Sequence, residues 1–323
     1  MSFRSFAVAG AGGMGGEIVR ALLGTGASVL VLSRSPSPDV TANAQSTASA
    51  MEALARSGRP AGDLDHAAAV DVKRALVDYT DEDALAQLLQ DERIEVIISA
   101  LRGGGFLAQD ALARAGKRAG VQLFVPSEYG VPTIGRTTGT SVAIHLKTRI
   151  HQDTLKTLQL PFCIFFNGLW MEYWALILGL PNETNTAIVV GDGEMPVSTT
   201  ARPDVAKFMA HVLTTLPKDQ LLNRVFRIEG DRRTVNEVVS VLSKLTGIDI
   251  QKRHLDVEST KATALLPQND PAQYVQWLAA EFAQGTGTVS FDAVTGRRDL
   301  PTDNALWPQW NPVRLEEGLP KKL

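Results

Sequence analysis

The feature that most constrains this chain is a glycine-rich turn between an apolar strand and a helix. Residues 6–9 are apolar and predict a strand, and the turn that follows runs from Gly10 to Gly16. Apolar residues at helical spacing then predict a helix from Glu17 to Leu23. A pyrophosphate reaches the amides at a helix N-terminus only where the backbone is open and φ can turn positive. The pattern therefore predicts a dinucleotide-binding cradle in a parallel sheet.

The residues expected to form this cradle are nearly consecutive. They are Gly10, Gly12, Gly13, Met14, Gly15 and Gly16. The turn satisfies two spacings at once, G-x-G-x-x-G and G-x-x-G-x-x-G, both beginning at Gly10. The glycines alone therefore do not decide between dinucleotide-binding families, and a flexible glycine-rich turn is the alternative without function.

The end of the second predicted strand, Val29 to Leu32, indicates which dinucleotide is bound. An NAD site places an acidic residue there for the ribose 2′-hydroxyl, whereas this strand is followed by Ser33 and Arg34. A hydroxyl and a fixed cation suit a 2′-phosphate, so we predict NADPH. The alternative is that Arg34 is solvated and Asp39 folds back to serve as the acid, but two intervening prolines direct the chain away.

Strands and helices alternate through the first half of the chain, which predicts an α/β fold with a right-handed, doubly wound parallel Rossmann sheet. The further strands are predicted at Val72–Val77, Ile94–Ala100, Gln122–Val125 and Phe162–Phe166, with helices at Asp81–Gln90, Phe106–Ala119 and Val142–Leu158. We expect an NADP-binding domain over residues 1–167 and a smaller, mixed substrate-binding lobe over 168–323. Segments within about 188–230 are expected to return to the core sheet.

The later part of the chain alternates less regularly, and the segment from Leu255 to the end is predicted to be helical around Pro271–Phe282 and loose afterwards. The elements predicted there are strands at Ile188–Val190 and Val225–Ile228, and helices at Pro203–Leu213, Val235–Leu245 and Pro271–Phe282. Between the second and third strands, residues 35–69 read as loops around a helix from Thr47 to Arg56.

Ligands of open parallel sheets bind at the carboxyl ends of the strands, so the residues just after each strand are candidates for cofactor contacts. Asp78 could approach the adenine or simply be a turn residue. Ala100, Leu101 and Arg102 are expected on the nicotinamide side, where Arg102 contacts a phosphate or is solvated.

Aromatic side chains follow the Phe162–Phe166 strand and are candidates for a substrate pocket. Trp170 and Trp174 fall at helical spacing with Tyr173 between them. Core packing is the alternative explanation for such a stripe.

Composition excludes several classes of function. The formal net charge of −3 provides no electrostatic footprint for nucleic acid or an anionic membrane. The run from Phe162 to Leu180 approaches membrane-spanning length, but it holds Asn167 and Glu172 and is better explained as a core strand running into an apolar helix. No signal peptide is visible. The histidines outside the site, His66, His211 and His254, lack ligand spacing, so we predict no metal.

The only cysteine, Cys163, lies in an apolar strand and is interpreted as a buried small residue. A reducing, cytoplasmic compartment is therefore expected, and the chain is compatible with a homodimer.

Standard short-chain dehydrogenases use a tyrosine and a lysine spaced Y-x-x-x-K, and this chain lacks that pair. The residues four places after its four tyrosines are Asp83, Thr133, Ile177 and Leu278. A different proton donor or acceptor must therefore serve any nicotinamide chemistry.

A combination of motifs resembles the isoflavone reductase-like and NmrA-like branch of atypical short-chain dehydrogenases. The motifs are Gly10-x-x-Gly13-x-x-Gly16, Ser33-Arg34, Phe124 to Gly130 (FVPSEYG), Lys147 in a helix before Leu160-Pro161, Asn167, Gly191-Asp192-Gly193 and Asp204-Val205-Ala206. The likeness covers most of the chain and is weakest in residues 35–69 and the C-terminal tail.

The resemblance implies NADPH binding and a catalytic role for Lys147, which would contact the nicotinamide ribose and act as general acid or base. Ser127 would orient the substrate or the nicotinamide amide, and His151 or His145 could relay protons. It also places Asn167 at the cofactor and Tyr129 at the substrate. An amine walled by apolar groups beside an oxidised nicotinamide should transfer its proton readily near neutral pH.

Two functions remain open from the sequence. The first is an NADPH-dependent reductase of an aromatic or enone-type small molecule. The second is an NmrA-like redox sensor that binds the dinucleotide and a protein partner without turnover. Lys147 favours the enzyme, because a sensor needs the cradle but no acid–base group.

Overall fold

A parallel five-stranded sheet organises the first half of the chain. A computed structural model describes residues 2–34, 72–136, 142–264 and 271–323. The strands are β1 (Ser5–Ala9), β2 (Ser28–Arg34), β3 (Lys73–Val77), β4 (Val96–Ser99) and β5 (Leu123–Val125), in the order β3-β2-β1-β4-β5. β1 is fully buried from Phe6 to Ala9, as expected for a central strand covered on both faces. The predicted α/β Rossmann class is confirmed.

A sixth strand continues this order beside β5. β6 (Cys163–Phe166) connects to the β5 side through parallel bridges from Phe124 to Phe162 and from Gly130 to Phe166. β10 (Arg224–Arg227) then pairs with β6 in parallel. A segment from the second half of the chain thus lies next to the strand that ends the first half.

The helices around the first sheet begin and end close to their predicted bounds, and the largest difference is at the start of the first helix. They are α1 (Gly13–Gly24), α2 (Glu82–Asp91) and α3 (Ala108–Arg118), the last preceded by a 3₁₀ turn (Gly103–Leu107). α1 begins four residues before the predicted Glu17, because glycines of the turn already adopt helical geometry. The helix N-terminus is thereby brought to the carboxyl end of β1.

The predicted helix from Val142 to Leu158 is interrupted. α4 (Val142–Arg149) leads into a π-helical turn (Ile150–Thr154) and a last short α5 (Leu155–Thr157). Hydrophobic spacing does not distinguish a widened turn from a regular one, so the prediction of one continuous helix was wrong here. Such turns occur frequently at functional sites.

Much of the second half of the chain packs a core of its own around small sheets, whereas the helix at Arg202–Thr215 packs against α1 in the core of the first sheet. The strands are β7 (Leu169–Trp170), β8 (Thr186–Val190), β9 (Pro196–Thr200), β11 (Asp231–Thr234) and β12 (Gln251–Leu255). The helices are α6 (Trp174–Ile177), α7 (Arg202–Thr215), α8 (Val235–Thr246), α9 (Val257–Ala264), α10 (Pro271–Ala283) and α11 (Leu315–Gly318). β7, β9, β11, β12, α9 and α11 were not predicted. β12 is an exposed, polar strand that gains its order from parallel pairing with β8.

The apolar run from Phe162 to Leu180 is strand followed by helical turns, and the apolar helix expected after the strand is short, consisting of a 3₁₀ turn (Met171–Tyr173) and α6. Within the ranges given above, no helix is both long and apolar enough to cross a membrane. Residues 35–69, with the predicted helix from Thr47 to Arg56 and Asp39, lie outside the described residues.

Candidate active site

The glycines of the first turn have three separable steric roles. Gly10 leaves β1 with φ +94°, in the region that favours glycine. A Cβ on Gly15 would lie 1.8 Å from the Gly10 carbonyl oxygen, whereas one on Gly12 would meet no atom of the described ranges within 4 Å. Gly10 therefore makes the tight turn, Gly12 leaves the approach to the backbone open, and Gly15 allows the helix to pack closely. These are the three glycine roles of the G-x-G-x-x-G spacing.

The amino end of α1 has the properties of an anion site. No side chain caps it at Gly12, and its first turn carries no acidic residue. Its free amides and the positive end of the helix dipole suit a pyrophosphate. The predicted cradle thus has the geometry that the cofactor requires.

The switch point of the sheet lies between β1 and β4, where cofactors of this architecture bind. Ala100 follows β4, and its carbonyl oxygen would be 3.1 Å from a Cβ on Gly10. Leu101 is buried beside the same turn, and Arg102 is exposed. Ala100 and Leu101 are therefore next to the cradle, and their contact with the nicotinamide stays a prediction.

The end of β2 offers an exposed cation at the same edge. Arg34 is opposite Val77 in the register, and Ser33 is half-buried beside it. Tyr79 is buried and donates to the Leu32 carbonyl at 3.1 Å. Burial raises the pKa of Tyr79 to about 12, although the nearby charge of Arg34 acts in the opposite direction.

Asp78 is exposed, and its carboxylate is held locally. It accepts hydrogen bonds from the Thr80 amide at 2.8 Å and the Thr80 hydroxyl at 2.7 Å, and these bonds lower the pKa of Asp78. This geometry matches the turn interpretation of Asp78.

The segment from Pro126 to Gly130 is tied to the end of β4 by two hydroxyl groups. Ser127 donates to the Leu101 carbonyl at 2.7 Å, and Tyr129 donates to the Ser99 carbonyl at 2.9 Å. Both residues are buried. Tyr129 therefore anchors the loop, and its hydroxyl proton is already used within the protein.

The centre of the site is a buried carboxylate between two basic side chains. The Glu128 side chain is 0% exposed, and its Oε1 is 2.9 Å from Nε2 of His151. Its Oε2 is 3.4 Å from Nζ of Lys147, whose side chain is 11% exposed. The carboxylate faces Lys147 where apolar walls were expected, so the amine lies beside an ionisable partner.

Lys147 lies at the carboxyl edge of the sheet. A Cβ on Gly130 would be 3.3 Å from its Nζ, so the amine rests against that glycine. The backbone N–H of Asn167 donates a hydrogen bond to the Gly130 carbonyl at 3.0 Å. The Asn167 side chain is fully buried, and its Oδ1 has no hydrogen-bond partner among the residues that the structure describes. The fold thus brings Lys147, Gly130 and Asn167 together from three separate segments.

The three aromatic candidates are in different environments. Trp174 is fully buried in the second core, and its indole donates to the Thr199 hydroxyl at 3.0 Å. Trp174 is therefore a packing residue, which agrees with core packing as the alternative explanation for the aromatic stripe. Trp170 and Tyr173 are half-buried and meet edge to face, with ring centroids 5.2 Å apart.

Other features lie elsewhere. A groove of about 750 Å³ between α1 and α7 includes Arg4, which precedes β1, so it lies at the amino ends of the strands. His145 is exposed. Among the described residues, no cluster of three or more His, Cys, Asp or Glu side chains could hold a metal ion.

Sequence reasoning assigned no role to Glu128 and did not single out Tyr274. Glu128 stood inside the quoted motif, and a carboxylate among apolar neighbours was the available signal. Tyr274 lies on α10, about 150 residues further along the chain, and the charge of Glu128 contributes to its raised pKa. No local pattern pointed to Tyr274.

Known proteins resemble this chain over most of its length. An oxidoreductase of Botryotinia fuckeliana, BOA1, is 28% identical over 255 residues, which are 74% of each chain. The leucoanthocyanidin reductase–NADPH complex of Vitis vinifera superposes with a TM-score of 0.73 at 21% identity, covering 97% of both chains. A structure of pinoresinol-lariciresinol and phenylcoumaran benzylic ether reductases gives 0.75 at 20% identity, covering 99% of this chain and 100% of that one.

The family model of the NmrA-like family matches residues 5–283. That span contains the cradle, the buried carboxylate, Lys147 and Asn167. The chain belongs to the NmrA-like family.

Proposed function

We propose that this protein is an NADPH-dependent oxidoreductase that reduces an aromatic or enone-type small molecule, with Lys147 as the acid–base group. The observation that carries the proposal is the placement of a nearly buried lysine amine at the carboxyl edge of a Rossmann sheet. Two similar proteins support the proposal, since BOA1 is named an oxidoreductase and the leucoanthocyanidin reductase structure contains NADPH.

The residues of the cradle would hold the cofactor. The amides at the start of α1 would bind the pyrophosphate, and Arg34 would pair with the 2′-phosphate. Ala100, Leu101 and Asn167 would border the nicotinamide. The reduced nicotinamide supplies a hydride when bound.

Reduction of a carbonyl or enone also consumes a proton, and Lys147 would deliver it. The Lys147 ammonium would donate one proton to the developing oxyanion or enolate and become a neutral amine. Half-buried Trp170 and Tyr173 would contact the aromatic part of the substrate, while Ser127 would offer its oxygen lone pairs as acceptors.

The choice of cofactor is tested by titrating NADPH and NADH into native protein and Arg34→Ala. Loss of a charge-assisted contact should weaken NADPH binding about 10-fold to 100-fold and leave NADH binding unchanged. Arg74→Ala is the matched control. Arg74 is also exposed, but it pairs with Val31 and so lies three residues before the carboxyl edge of the sheet where Arg34 is found. Equal affinities of native protein for both nucleotides would contradict the assignment.

Turnover is tested by following NADPH oxidation with aromatic ketones, enones and benzylic ethers. Lys147→Ala should lower kcat about 100-fold or more, whereas loss of its ribose contact should weaken NADPH binding much less. Lys156→Ala, which removes an exposed lysine from α5, is the control. Intact NADPH binding without turnover of any substrate would favour the sensor of the same family.

A further inference from the structure

One buried carboxylate serves two bases at the centre of the site. Glu128 presents Oε1 to His151 at 2.9 Å and Oε2 to Lys147 at 3.4 Å. The His151 side chain is 3% exposed and that of Lys147 11%. Buried carboxylates persist only when paired, so this pairing is a built arrangement and not a chance surface contact.

The local fold is arranged to make both contacts. Glu128 lies in the loop after β5, Lys147 is in the last turn of α4, and His151 lies in the π-helical turn. This turn begins three residues after the lysine and contains His151, whose ring contacts the same carboxylate. Insertions of this kind are uncommon and are concentrated at functional sites.

Other titratable groups near Glu128 do not compete for its charge. Tyr129 is on the same loop, and Tyr274 faces it from α10. Burial first and the charge of Glu128 next raise the pKa of Tyr274 to about 12, with Arg136 opposing. Burial, Cys163 and Glu128 raise the pKa of Tyr129 well above its usual value. Both phenols therefore stay neutral near pH 7, and the basic side chains in contact with the carboxylate are Lys147 and His151.

From this geometry we infer that Glu128 is a positioning residue that holds the Lys147 amine in place and in its charged form, while His151 orients Glu128. The arrangement follows the general pattern in which a third group orients an acid–base pair. The inference rests on the proposed function, because it assigns Lys147 the proton that reduction consumes.

The test measures Lys147 directly in the full-length protein. Limiting acetic anhydride is applied across neutral to alkaline pH, and acetylation of each lysine is quantified by mass spectrometry, with exposed Lys156 as internal reference. In Glu128→Gln, the pH midpoint of Lys147 labelling should fall by about 1 to 3 units while that of Lys156 stays constant. An unchanged Lys147 midpoint would overturn the inference.

Two further variants separate charge from shape. Glu128→Asp keeps the charge and should label like native protein, and His151→Gln, which keeps a donor for Glu128, should do the same. If Glu128→Gln does not fold, a large shift in Glu128→Asp would itself contradict the assignment.

Turnover supplies an independent readout. With an accepted substrate, Glu128→Gln should lower kcat about 10-fold to 100-fold, with NADPH affinity unchanged. A labelling shift in protein that turns over no substrate would retain the role of Glu128 and reject the proposed reaction. Turnover without a labelling shift would retain the proposed reaction and reject the role of Glu128.

Discussion

Replacing Gly15 by alanine tests the packing that creates the cradle. The new Cβ would lie 1.8 Å from the Gly10 carbonyl oxygen, which is 1.2 Å short of the 3.0 Å that real Cβ contacts respect. The obstacle is backbone, which cannot rotate away as a side chain would. We expect an overpacking cost of about 3 kcal/mol, offset by about 1 kcal/mol of better helix propensity. The net loss of stability is therefore about 2 kcal/mol.

Gly16→Ala is the matched control in the same helix. Its Cβ would have only one neighbour outside the helix, the Ala11 oxygen at 3.7 Å, which is an ordinary contact. This variant should gain up to about 1 kcal/mol, so the two alanines should differ by about 3 kcal/mol.

The assay is urea unfolding followed by tryptophan fluorescence, with NADPH titration of each variant. Gly15→Ala should unfold at lower urea and bind NADPH weakly, because α1 is pushed away from Gly10. If Gly15→Ala were as stable as Gly16→Ala and bound NADPH equally well, the close approach of helix and strand would be refuted.

Two further changes probe stability away from the cradle. Tyr79→Phe should reduce the loss of stability at alkaline pH. The pKa of Tyr79 is about 12 in the folded protein and 10.0 in the unfolded chain. The contribution of Tyr79 to stability is therefore complete below pH 10 and is lost as the pH rises toward 12. Urea unfolding across that range measures the slope, and an unchanged slope would contradict the assignment. Thr234→Ala should cost about 1 kcal/mol in thermal unfolding, because Thr234 and Glu237 form a reciprocal capping box on α8. A loss no greater than that of Ser240→Ala, an exposed site within α8, would argue against the cap.

The alternation of strands and helices was visible in the sequence because it depends on local patterns. Buried parallel strands are continuous apolar runs, so β1 and β4 were found within two residues of their bounds. β12 escaped because its residues are polar and mostly exposed, and only its partner β8 makes it a strand.

Candidate residues next to the strands were also predictable, since position along a strand decides the edge of the sheet at which a residue emerges. The environments of those residues were less predictable. Trp170 and Trp174 have similar sequence contexts, but one is half-buried beside Tyr173 and the other is sealed in the core. Trp170 ends β7 and Trp174 begins α6, so the environment of each indole is decided by the elements that pack against it.

The sequence by itself determined the class of sheet, the glycine turn at its switch point and the lysine that follows in a helix, because each is encoded in a few neighbouring residues. Only the tertiary structure decided what surrounds that lysine. Glu128, Lys147 and His151 meet because a loop after β5 and a widened helical turn close on each other. A long-range contact of this kind depends on the relative placement of whole elements, and the spacing of residues along the chain does not contain it.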